Sequence, residues 1–187
     1  MPLPAQIDYK KISENILPDK DIEGMHPANI GKMIFGKARL VPCTPAAAME
    51  LINASGVDLY GKGVVIVGHS EIVGKPLALL LLEKFATVTV CHIGTSKAGK
   101  LEEHIRRAEV LIVAVGKAGL IKGELIKEGA IVIDVGINRV GDKIVGDVEF
   151  EAAEKRASYI TPVPGGVGPL TVTMLMRNLV EAAKLQL

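Results

Sequence analysis

Val64-Val65-Ile66-Val67-Gly68-His69-Ser70-Glu71-Ile72-Val73-Gly74-Lys75-Pro76 is the stretch on which the fold turns. A run of β-branched apolar residues ends at Gly68, a short polar loop follows, and apolar residues at helical spacing begin near Val73. Similar runs recur at Gly63–Val67, Thr87–Cys91, Val110–Val115 and Ala130–Val135. Each is nearly continuous in apolar residues, the pattern of a strand buried on both faces. Between them, 73–85 and 100–107 have helical spacing, and a short turn or helix lies around 123–127. Strand, helix and strand at this rhythm predict a doubly wound α/β domain with a parallel, Rossmann-like sheet.

The flanking segments read differently. A helix is predicted from Pro45 to Ser55, with Thr44 as its N-cap, Pro45 in its first position and Gly56 as its stop. A second strong helix is expected from Leu170 to Leu187, beginning after Pro169 and long enough to reach beyond the sheet. Residues 1–40 are rich in Pro, Asp, Lys and Gly and offer one short helix, at 9–17, too little for a core of their own. The expected division is therefore a leading remnant or linker at 1–40, a dinucleotide-binding domain at 41–170, and a C-terminal helix at 171–187.

Composition narrows the function. Twenty-two basic residues oppose 21 acids for a net charge of +1, which gives no field to hold nucleic acid or an anionic membrane. Aromatic residues are only 3% of the chain, too few for a base-stacking platform. Cys43 and Cys91 form no CxxC pair, the histidines show no ligand spacing, and no metal site is expected. With no targeting pattern at Met1–Pro4 and no apolar run of membrane length, a cytoplasmic protein is expected.

Three stretches carry chemistry. The turn after Gly68 could present backbone amides and a helix dipole to a pyrophosphate, or could be a plain turn needing glycine for its shape. Its spacing is not GxGxxG. The second strand ends Val90-Cys91-His92-Ile93 without an acid for the ribose of NAD, so His69, His92 and Lys97 are candidate cationic contacts or solvated surface residues. Ile160-Thr161-Pro162-Val163-Pro164-Gly165-Gly166-Val167-Gly168-Pro169-Leu170-Thr171 can be neither helix nor inner strand; it is a fixed loop feeding a helix N-terminus, for ligand contact or a tight corner. Asp134, in an apolar strand, needs a partner and could cap a loop as easily as touch a ligand.

Taken together, PCTP (42–45), GHSEIVGKP (68–76), ATVTVCH (86–92), IDVGIN (133–138), GDV (146–148) and ITPVPGGVGPLT (160–171) resemble the methylenetetrahydrofolate dehydrogenase/cyclohydrolases. PLP (2–4) and DKDIEGMHPANIG (19–31) extend the resemblance across the chain. It implies oxidation of methylenetetrahydrofolate by hydride transfer to NAD(P), then hydrolysis of the methenyl product, with folate held between two α/β domains. Carried over position by position, it implies cofactor contacts at Thr44, Gly68, His69, Ser70, Ile72, His92, Ile137 and Thr171. Pro164 and Gly165 would line the folate side, and Glu23 would stand at a catalytic aspartate position.

The departures shape the expectation. The family's catalytic lysine and tyrosine belong to a domain ahead of this chain's first residue, of roughly 100 residues. This chain is therefore expected to supply the cofactor-binding half of an enzyme, with a homodimer implied. The alternative is a non-catalytic dinucleotide-binding subunit or interaction module that needs a separate N-terminal polypeptide. His69 replaces the family's arginine and Ile93 its serine, and Lys97 could substitute for the arginine, so NAD and NADP both stay open.

Overall fold

The computed structural model describes Pro4 and residues 6–187, so most of the PLP segment lies outside the described residues. Five strands form one parallel sheet: β1 (Gly63–Val67), β2 (Thr87–Cys91), β3 (Val110–Val113), β4 (Ile131–Asp134) and β7 (Tyr159–Ile160), in the order β2-β1-β3-β4-β7. The apolar runs make this possible because β1, β3 and β4 bury side chains on both faces. Val64 and Ile66 join one core with α3 (Cys43–Ala54), α4 (Gly74–Leu82) and α8 (Val167–Lys184). Val65 and Val67 join the opposite core with α6 (Leu101–Arg107) and α7 (Phe150–Glu154). The predicted doubly wound sheet is present.

Strand order places the site. The chain passes from β1 outward to β2, then returns across β1 to β3, so the order reverses at the β1/β3 boundary. Helices diverge to opposite faces there and open a crevice beyond the carboxyl ends of those strands, where doubly wound sheets bind ligands.

Several local expectations need correction. The helix expected at Pro45–Ser55 begins at Cys43, with Pro42 as its N-cap and no side-chain cap, so Thr44 lies inside the first turn. Pro42 is extended, and its carbonyl accepts the Ala46 N–H at 3.0 Å, which starts the helix two residues early. Pro45 is still harmless there, because first-turn amides have no intrahelical acceptor. Likewise α8 starts at Val167, with Pro169 in its first turn, and runs unbroken past residue 170 to Lys184. The leading segment holds α1 (Tyr9–Asn15), a 3₁₀ turn (Pro18–Lys20) and an unforeseen α2 (Pro27–Ile34) started by a His26 cap. It buries Met33 and Leu40 against the rest of the chain, and Asn178 of α8 donates to both Ile22 O and Val41 O.

Five further elements escaped the sequence reading: α5 (Ile93–Lys97), a hairpin of β5 (Asn138–Val140) and β6 (Lys143–Val145), and the α7 and β7 that follow it. Among the described residues no helix is long and apolar enough to cross a membrane.

Candidate functional site: a crevice at the ends of β1 and β3

Beyond the ends of β1 and β3 lies a cavity of about 400 Å³. Its floor is the strand ends Val67, Gly68, Ala114 and Val115, and Leu101 and Leu120 complete an apolar wall. His69, Ser70, His92, Ile93, Ser96 and Lys117 supply the rim. Four of the predicted cofactor contacts, Gly68, His69, Ser70 and His92, are thus brought together. Ile72 is exposed and is not among the lining residues.

The turn after β1 owes its shape to close approach. Gly68 has φ +127°, and a Cβ on it would strike the Ala114 carbonyl; one on Gly74 would strike the carbonyl of Gly68. The loop therefore folds back on its own start and against β3. The expected use of the α4 amides for phosphate is narrowed by this geometry. Lys75 N–H goes to Ser70 O at 3.0 Å, Val73 N–H goes to Ser70 Oγ at 3.1 Å, and Pro76 has none. What faces the cavity is the loop itself, with the Ser70 hydroxyl still able to donate its proton.

A second group assembles around the proline-glycine bend. Ile137, Pro164 and Gly165 line a smaller cavity of about 150 Å³ with Gly136, Ile144 and Gly168. The Val163–Pro164 peptide is cis, and Gly165 has φ +105°. One turn along α8, Thr171 Oγ1 donates to Val167 O at 3.0 Å and lies 3.5 Å from Thr44 Oγ1. Thr44 and Thr171, far apart in sequence, therefore meet beside this bend. Glu23 is exposed and stands by Cys43, the residue before Thr44. The Cys43 thiol is pushed up to about 11, first by burial and then by the Glu23 carboxylate.

Two buried carboxylates join the two groups. Asp147 is fully buried and accepts the N–H groups of Val115, Gly116 and Lys117 at 2.7–2.9 Å, and Asn138 Nδ2 at 2.8 Å. One side chain thus holds both the loop that walls the larger cavity and the residue after Ile137. Asp134 accepts from Gly136, Asp147 and Val148 N–H, while Thr161 Oγ1 accepts the Asp134 N–H. Burial raises the Asp134 carboxyl above its ordinary value; the three amides pull it down, and the Asp147 charge adds to the rise. Of the two roles weighed for Asp134, it performs the loop-capping one.

Asp147, Ser96 and Lys117 were not singled out from the sequence. Asp147 lies 30–32 residues from its amide partners, so no local spacing could reveal it. The residues after β3 become recognisable only once the strand order is known. Among the described residues, no group of three or more His, Cys, Asp or Glu side chains is placed to hold a metal.

Residues 42–187 match the family model described as "Tetrahydrofolate dehydrogenase/cyclohydrolase, NAD(P)-binding domain". Bifunctional protein FolD of Bacillus pumilus is 57% identical over 185 residues, covering 98% of this chain and 64% of that protein. The bifunctional FolD crystal structure from Campylobacter jejuni superposes with a TM-score of 0.95 at 49% identity, over 100% of this chain and 66% of that one. A Trypanosoma brucei methylenetetrahydrofolate dehydrogenase-cyclohydrolase, complexed with NADP cofactor and an inhibitor, gives 0.94 at 44% identity, over 100% of this chain and 65% of its own. The chain thus spans about two thirds of the length of the relatives it matches.

Proposed function

The chain belongs to the tetrahydrofolate dehydrogenase/cyclohydrolase family, and on that premise we propose that it holds NAD(P) in the β1/β3 crevice and presents the nicotinamide to a folate beside Pro164 and Gly165. The carrying observation is the crevice itself. It is apolar on its floor and wall, donor-bearing on its rim, and set at the switch point of the sheet. Gly68 allows close backbone approach, and Ser70 offers a hydroxyl toward the pyrophosphate. Thr44, Ile137 and Thr171 flank the other end, where the nicotinamide would lie.

Bound NAD(P)⁺ supplies the hydride acceptor for methylenetetrahydrofolate; the methenyl product is then hydrolysed to formyltetrahydrofolate. The residues of this chain contribute position, because hydride transfer needs the two rings held face to face. Asp147 contributes indirectly by fixing the 115–117 loop and Asn138 together. Glu23 faces the folate side in this reading.

The whole protein's turnover draws on the further third present in its relatives. Residues 1–40 and the outer face of α8, which exposes Val172, Met176, Leu179 and Val180, are read as the surface toward that folate-binding domain. A cytoplasmic homodimer is the accompanying reading. Calorimetric titration with NAD and with NADP tests the core of the proposal: a saturable complex is expected, with little dehydrogenase turnover by this chain alone. The absence of a complex with either nucleotide would overturn it.

A further inference from the structure

The crevice departs from the ordinary dinucleotide fold in how it meets charge. Such folds set the pyrophosphate against the start of the helix after the first strand, where open amides and the helix dipole face it. Here that start is closed. Val73 and Lys75 N–H both go to Ser70, Pro76 has no N–H, and Leu77 N–H goes to Val73 O at 3.0 Å. Gly74 is buried against the Gly68 carbonyl, and no residue of α4 is among those lining the crevice. Gly68 N–H is engaged as well, donating to Cys91 O at 2.9 Å. The β1 loop thus turns the Ser70 hydroxyl to the crevice, and not the helix start.

A pyrophosphate against an apolar floor and wall needs a counter-charge, because ionised groups taken from water without one are costly. Among the described residues that line the crevice there is no carboxylate, and Lys117 is the one Lys or Arg. Lys97, a candidate cation from the sequence, is not among them. Lys117 belongs to the loop after β3 and Ser70 to the loop after β1, so the two flank the switch point of the sheet. The Lys117 backbone is fixed. Its N–H and those of Val115 and Gly116 all go to the Asp147 carboxylate at 2.7–2.9 Å, and Gly116 takes the φ of +67° that such an amide nest requires. Asp147 is fully buried and committed to these amides, and among the described residues no carboxylate stands within salt-bridge distance of the Lys117 ammonium. Lys122, by contrast, is paired with Glu149 at 2.5 Å.

Resting on the dinucleotide reading above, we propose that Lys117 holds the pyrophosphate of the cofactor, replacing the helix start that this fold ordinarily uses. An ammonium is a point charge on a flexible stem, so from a rigid loop it can follow the phosphates without a fixed geometry. Both NAD and NADP carry the pyrophosphate. The contact therefore strengthens the two alike and leaves the choice between them to other groups. Because Lys117 is exposed, salt screens the attraction.

The experiment is calorimetric titration of NAD and of NADP into the unmodified chain, Lys117→Gln and Lys117→Arg, at low salt and at about 0.3 M NaCl. Lys117→Gln should weaken NAD and NADP by the same factor at low salt, about tenfold, the scale of one charge-assisted hydrogen bond. The difference should shrink at high salt, and Lys117→Arg, which keeps the charge, should stay near the unmodified chain. Undiminished NAD affinity in Lys117→Gln, a loss confined to NADP, or an Arg variant as weak as the Gln variant would overturn the inference alone. Failure of the unmodified chain to bind either nucleotide would overturn it together with the dinucleotide reading.

Discussion

Two glycine-rich loops feed the two helices nearest the site, and Gly165 of the second uses glycine for a different reason from the glycines of the first. In the turn from Gly68 to Gly74, added Cβ atoms would strike backbone carbonyls of the same turn and of the strand beside it. In the bend from Pro162 to Gly168, a Cβ on Gly166 would likewise strike the Pro162 carbonyl, but one on Gly165 would find only Pro162 Cγ, at 4.0 Å, and one on Gly168 would find nothing. The first loop is closed on itself, so its glycines serve the fold. The second is open at Gly165, where torsion alone demands glycine and the vacant space lies toward the smaller cavity. Glycine content therefore does not say whether a loop is built for packing or for a visitor.

The sharpest way to break this contrast is to substitute both loops. Gly74→Ala places a methyl on a carbonyl that cannot retreat without unwinding the turn. It should cost roughly 3 kcal/mol or more, at the upper end of overpacking, and urea melts of the purified variant would read the loss. If Gly74→Ala melts like the parent chain, the first loop is not closed in the sense argued.

Asp147 is the next test, since it ties the walls of the two cavities together. Asp147→Asn keeps the volume but turns an amide NH₂ toward donors it cannot satisfy. A loss of about 2–3 kcal/mol is expected, with nucleotide affinity reduced because Val115 and Lys117 are released. Parallel melting and nucleotide titration check it, and unchanged affinity would show that the loop holds its place without the carboxylate.

Gly165→Val should behave unlike Gly74→Ala. Its cost is the torsional strain of a branched residue at φ +105°, about 1–3 kcal/mol, so the fold should survive while the folate side is blocked. A collapsed melting transition would place the bend among the structural loops instead. The smallest effect concerns Cys43, buried beside Asn178 of α8. Its thiol is raised from 9.0 to about 11, so folding favours the protonated form. That contribution is whole below about pH 9 and is lost as pH rises through about 11. At pH 8 the native chain should resist iodoacetamide at Cys43 while the urea-unfolded chain reacts, as followed by mass spectrometry.

Much of the framework is legible in the sequence alone. The strands at Gly63–Val67 and Thr87–Cys91 coincide with the apolar runs read from the sequence, because a strand buried on both faces needs continuous apolar residues. Boundaries failed where backbone capping overrode side-chain preference, as at Thr44 and before Leu170. The hairpin at 138–145 failed because its residues are largely exposed, so burial imposed no readable pattern. The meeting of Thr44 with Thr171 is a product of α3 packing on α8, and neither residue carries any mark of it.

By itself, then, the amino-acid order settled the parallel α/β framework and the special backbone of two loops. Those depend on local periodicity and on residues whose torsions are restricted wherever they stand. Tertiary structure alone decided that the order reverses between β1 and β3, and that Asp147 binds three amides about 30 residues away. It alone set His69 opposite His92. Contacts of that kind form only when separate strands are stacked in register, because their partners share no spacing along the chain.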